Sequence, residues 1–149
     1  MCLVFADMSI IAVRDGFVDL IKAAIVIMTT PVPPLADLRG IEENRVYAVE
    51  NAPVKESKRV QAVVSASVEE STPLFHSSPI STVTATLTVA IRGEKEKAIE
   101  LSELVSNVIG SQILSVNSTE VTVGVLNESR SFGNPTLIEI EAPLSFVTC

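Results

Sequence analysis

The feature that most constrains this chain is an uninterrupted two-residue alternation from Thr82 to Ile91. Val83, Ala85, Leu87, Val89 and Ile91 fall on one side, and Thr82, Thr84, Thr86, Thr88 and Ala90 on the other. Successive side chains of an extended chain point to opposite faces, so this pattern predicts a strand with one wholly apolar face. That face must be covered by other elements, whereas the threonine face is free to meet solvent or a neighbouring subunit. Gly93 breaks the strand, and helical spacing follows over Glu94–Ile109, with Ala98, Leu101, Leu104, Val105 and Val108 as the apolar positions. Glu94 and Glu96 stand where the macrodipole favours negative charge, and Gly110 marks the helix end.

A second helix is predicted over Ser9–Met28. Its stripe is Ile10, Val13, Phe17, Leu20, Ala24 and Ile27, widened by Ile21, Ile25 and Met28, with Ser9 as cap and Arg14, Asp15, Asp19 and Lys22 on the other side. These charges argue against a membrane span of similar length. The prolines of Thr29–Pro34 stop the helix and open a connection to about residue 43. Short strands are expected at Arg45–Glu50 and Val60–Val68, separated by a polar loop over Asn51–Lys58. Glu69–Ser81, with two prolines, reads as a long loop. Val121, Val123 and Val125 mark a further strand, Asn127–Pro135 a turn, and Ile138, Ile140, Ala142, Leu144 and Phe146 one face of a final strand. Pro143 interrupts that strand, which favours an edge position or a bulge.

The expected fold is therefore α+β: a two-layer sandwich in the order α-β-β-β-α-β-β, its mostly antiparallel sheet carrying both helices on one face. A length of 149 residues suits one domain spanning 1–149, with residues 1–8 read as a frayed N-terminal extension. With no Trp, one Tyr and five Phe, the core must be filled by Val, Ile, Leu and Ala.

Charge and residue inventory narrow the function. A net charge of −7 without a Lys/Arg-rich run disfavours gripping a phosphate backbone. Cys2 and Cys149, at opposite ends, are read as unpaired thiols, and no secretory signal accompanies the sequons at Asn117 and Asn127. His76, the single histidine, has Ser77 and Ser78 beside it, but adjacent residues seldom face each other productively and no third group orients the ring. One histidine and two terminal cysteines do not supply a zinc ligand set. The pairs Glu42–Glu43 and Glu69–Glu70 flank loops, and Glu139 and Glu141 share one strand face, read as exposed edge charge that blocks unwanted pairing. Isolated glycines give no phosphate cradle. No catalytic residue, cofactor site or metal site is predicted.

What remains is surface for protein partners. Lys55, Lys58 and Arg59 give the loop after the first strand a local positive charge, and Leu74 and Phe75 give the Glu69–Ser81 loop an apolar tip. Loops on a rigid sheet commonly carry binding, which makes these five residues the interface candidates.

From Met8 to Val147 the layout resembles the tail-terminator (tail-completion) proteins of long-tailed bacteriophages. The resemblance is carried by the opening helix SIIAVRDGFVDLIKAAI, the proline-rich connection, the strand-to-helix run TVTATLTVAIRGEKEKAIELSELVSNVI and the terminal strand TLIEIEAPLSFVT. It rests on pattern and length, without a diagnostic motif. It implies a non-enzymatic virion protein, assembled in the host cytoplasm, that forms six-fold rings on the tail tube, stops tube growth and joins the tail to the head connector. The implied partners are its own copies, the tail-tube protein and the connector or stopper protein, with DNA only as passing cargo. Glu139, Glu141 or the Thr82–Thr88 face are the candidates to line the channel, where acidic charge would repel phosphate. The residues before Met8 and the long Glu69–Ser81 segment depart from the family pattern. A neck adaptor or stopper is the neighbouring alternative, and a small-ligand binding domain a more distant one.

Overall fold

A computed structural model describes residues 6–29, 45–52, 60–73, 80–110, 112–117, 119–133 and 135–148. Helix α1 (Ala6–Thr29) leads into strand β1 (Val46–Ala48) and a 3-10 turn (Val49–Asn51). Strands β2 (Gln61–Pro73) and β3 (Ser81–Gly93) precede helix α2 (Lys95–Ile109). Strands β4 (Ile113–Val116), β5 (Thr119–Val123), β6 (Asn127–Ser131) and β7 (Thr136–Thr148) complete the chain. The seven strands of the described residues form one sheet in the order β1-β2-β3-β7-β5-β4, with β6 also paired to β7. Every pairing is antiparallel except β1 with β2. The α+β expectation holds, and the strand count rises because β4 and β6 join the predicted set.

The alternations set which face is buried. Val83, Ala85, Leu87, Val89 and Ile91 of β3 are fully buried, and register places Val64, Val89 and Ile140 side by side across β2, β3 and β7. Ile138, Ile140, Ala142, Leu144 and Phe146 complete the same face. Onto it pack Val13, Phe17, Ile21 and Ile25 of α1 and Ala98, Leu101, Leu104, Val105 and Ile109 of α2. Burying side chains of this size contributes about 1.5–3 kcal/mol each. The two helices also touch one another.

Several expectations change. Ser9 lies inside α1, which begins at Ala6, and Ile27 is 64% exposed rather than part of the buried stripe. The loop expected from Glu69 is strand as far as Pro73, and the turn expected at Asn127–Pro135 is strand from Asn127 to Ser131. Val125 lies beyond β5 and is 80% exposed. β7 is an interior strand, so Glu139 and Glu141 are not edge charges and Pro143 is not at an edge. Of the connection predicted over residues 29–43, Thr29 still belongs to α1 and the rest lies outside the described residues.

Pro143 fits an interior strand for a specific reason. One side of β7 pairs β3 along its whole length, whereas its other side passes from β6, ending at the Asn127–Glu141 pair, to β5, starting at Val123–Leu144. Pro143 sits at that junction, and its carbonyl accepts the amide of Gly124 at 2.9 Å. A strand residue points its N–H and C=O to the same side. The donor that proline lacks would therefore face the junction, not the β3 ladder.

The sheet also curls toward the helices. Six strands laid flat would separate β1 from β4 by about 24 Å. Yet Arg14 of α1 reaches Glu50, just after β1, while two residues on Gly16 lies against Val116 of β4. On the β4 side the Asn117 amide Nδ2 donates to the Ala12 carbonyl at 2.6 Å. One stretch of α1 thus fastens both margins of the sheet.

Candidate functional site

Among the described residues, the helices leave the opposite face of the sheet uncovered. Thr84, Thr86 and Thr88 of β3 stand there beside Ser65 and Ser67 of β2 and Glu139, Glu141 and Ser145 of β7. Register pairs Thr88 with Glu141 and Ala90 with Glu139, so the two carboxylates and the threonine row are one surface. Glu141 is exposed and Glu139 half-buried. Val63, Leu137, Pro143 and Val147 share this face by register, so it is polar with apolar residues among the threonines and carboxylates.

Further carboxylates line the β2 end and the β5 margin of this face. The Thr86 hydroxyl donates to Glu69, the Thr72 hydroxyl donates to Glu70 at 3.2 Å, and Glu120 of β5 is exposed. Among the described residues the basic groups on this side are Arg92 and Arg45, whose guanidinium donates to the Gln61 side-chain oxygen at 3.5 Å beside it. Among the described residues five carboxylates against two guanidinium groups leave the surface acidic, and a field of this kind disfavours approach of a phosphate backbone. A shallow depression of ≈ 460 Å³ lies where Glu120, Thr122, Ser145 and Val147 meet.

A second cluster lies between α1 and β1. The Arg14 side chain is buried, and its guanidinium donates to Glu50 (Nη2 to Oε2, 3.1 Å) and to Asp15 (Nε and Nη2 to Oδ1, 3.1 and 2.9 Å). The hydrogen bond from Arg14 holds the Glu50 carboxyl below its ordinary range, and the same bond raises the guanidinium. A groove of ≈ 440 Å³ runs past this pair, with Asp19, Lys22, Tyr47 and Asn51 among its lining. Between α2 and β6 a smaller groove of ≈ 330 Å³ is lined by Ser102, Glu103, Asn107, Glu128 and Arg130, the last two ion-paired at 3.0 Å.

The interface candidates Lys55, Lys58, Arg59, Leu74 and Phe75, together with His76, lie outside the described residues. Of the residues singled out by sequence, the structure brings together Glu139, Glu141 and the threonine row. The Arg14–Glu50 pair was not foreseen: its members are 36 positions apart and carry no local signal. Among the described residues no group of three or more His, Cys, Asp or Glu is placed to hold a metal ion, and no described helix is long and apolar enough to cross a membrane.

No family model matches the chain, and no curated protein matches it in sequence. A chain in the solved virion of a native gene transfer agent (GTA) particle has the same fold, with a TM-score of 0.59 over 85% of this chain and 93% of that one. At 10% identity the likeness is one of fold: this chain is similar in architecture to a protein of that particle.

Proposed function

We propose that the protein is a structural subunit of a phage-like virion, and within it a tail-terminator: a ring-forming protein that caps the tail tube, halts its polymerisation and joins it to the head connector. The observation that carries this reading is the fold likeness, which spans 93% of a chain from a virion particle. The uncovered acidic sheet face supports it, since a wall bearing Glu139, Glu141, Glu69 and Glu120 would let DNA pass without adhering. The reading assigns no catalytic role to any residue, no cofactor and no metal. In it, copies associate head to tail and close a ring, six-fold by the family resemblance. The loops carrying Lys55, Lys58, Arg59, Leu74 and Phe75 contact neighbouring virion proteins.

The test is mass photometry across rising concentration, with negative-stain imaging of the largest species, followed by addition to polymerising tail-tube protein. Closed rings that shorten or cap tubes are expected. Rings that ignore tube ends but bind the head connector would move the protein to the neck. Failure to act on either would overturn the reading.

A further inference from the structure

We propose that β1 and the 3-10 turn after it form a local opening unit of the sheet, latched by the Arg14–Glu50 ion pair. The inference goes beyond the virion reading and does not depend on it.

The first observation concerns how the outer edge of β2 is covered. β1 pairs only with Ala62–Val64, three residues of a thirteen-residue strand, and does so in parallel, the less stable arrangement per residue. From Ser65 to Pro73 no strand covers that edge among the described residues. This stretch carries a bulge between Val68 and Glu70, two adjacent carboxylates at Glu69 and Glu70, and Pro73. All three are devices that discourage unwanted strand pairing. Ala62–Val64 has no charge, no proline and no bulge. Where β1 lies, β1 is the protection.

The second observation concerns what holds β1. Val46 and Ala48 are buried, but two small side chains give a three-residue strand little anchorage. Glu50, one turn further on, is tied to Arg14 through both carboxylate oxygens. The two arms of Arg14 are unequal in consequence. Asp15 is on the same helix, so that arm moves with α1. Glu50 belongs to the sheet side, so of the two arms only that one adds an ionic tie between α1 and the β1 segment, beside the packing of Val46 and Ala48. Loss of the Glu50 charge leaves Arg14 with a carboxylate partner and the helix intact, while the β1 segment loses its ionic tie. The charged and titratable groups lining the groove around the pair are Asp15, Asp19 and Lys22 on α1 and Tyr47 on β1.

The test is amide hydrogen exchange on the full chain for the wild type, Glu50→Gln and Asp15→Asn. Glu50 is well exposed and glutamine keeps its shape, so the first variant is expected to fold. With the latch removed, exchange over Val46–Ala48 and Ala62–Val64 should accelerate about tenfold, with β3 and β7 unchanged. Asp15→Asn should leave the β1 and β2 segments at wild-type protection. Unchanged exchange in Glu50→Gln would overturn the proposal, as would acceleration spread evenly through β3 and β7. Equal opening of β1 by Asp15→Asn would also overturn it, since the effect would then belong to neutralising Arg14 and not to a tie between two elements.

Discussion

The amide of Gly124 donates to the carbonyl of Pro143 at 2.9 Å, at the point where the free side of β7 passes from β6 to β5. A Cβ on Gly124 would lie 2.7 Å from the Pro143 ring carbon Cγ, whereas one on Gly133 meets nothing nearer than 3.6 Å. Gly124→Ala should therefore destabilise by about 1–3 kcal/mol, whereas Gly133→Ala should be neutral or slightly stabilising. Urea denaturation of both variants checks the difference, and equal midpoints would remove the contact from the account.

Gly16 is packed as tightly, against β4 at the margin of the sheet. A Cβ there would lie 2.8 Å from Cβ of Val116, with the Asn117 backbone nitrogen at 3.3 Å. Alanine is a better helix former than glycine, so in an exposed helix this substitution would stabilise by up to about 1 kcal/mol. Here overpacking should reverse the sign, and Gly16→Ala should lower the thermal midpoint. A raised midpoint would mean that α1 does not press on β4.

The two sides of β3 should respond unequally to truncation. Leu87→Ala removes a fully buried side chain and should cost about 2–5 kcal/mol, whereas Thr88→Ala, facing away from the helices, should stay within about 0.5 kcal/mol. Chemical denaturation of the pair measures which face is covered.

Acid should weaken the tie between α1 and β1. The folded-state pKa of Glu50 is depressed, so its contribution to stability is complete above the ordinary carboxylate value of 4.5 and is lost as pH falls through the lower folded value. Thermal midpoints of wild type and Glu50→Gln should differ near pH 7 and converge as pH drops below about 4. A difference that is constant with pH would assign the effect to shape, not charge.

How much of this was legible in the sequence followed from where the apolar residues lie. The alternations in β3 and β7 are complete, and both emerged as long strands with the expected buried faces. The helical stripes of α1 and α2 were read to within a few residues. β6 was missed because Asn127, Glu128, Ser129, Arg130 and Ser131 are all exposed and offer no period. Backbone pairing to β7 makes it a strand. The stretch from Glu69 to Pro73 was missed for the same reason, and β4 because four residues are too few to show a period. Joining Thr88 to Glu141 required strand order, which no local pattern encodes. The predicted loop contacts at Lys55, Lys58, Arg59, Leu74 and Phe75 remain expectations.

The double fastening of α1 has a consequence for synthesis. Asn117 and the Ala12 carbonyl are 105 residues apart in the chain, and Gly16 meets Val116 over nearly the same span. The helix packs mainly on β1 and β2, which follow it soonest in the chain, so part of its Val13, Phe17, Ile21 and Ile25 stripe finds cover early, while the fastening to β4 waits for that strand. Contacts this distant in sequence close slowly. The margin at β1 would therefore be fastened before the margin at β4, with α1 as the piece common to both.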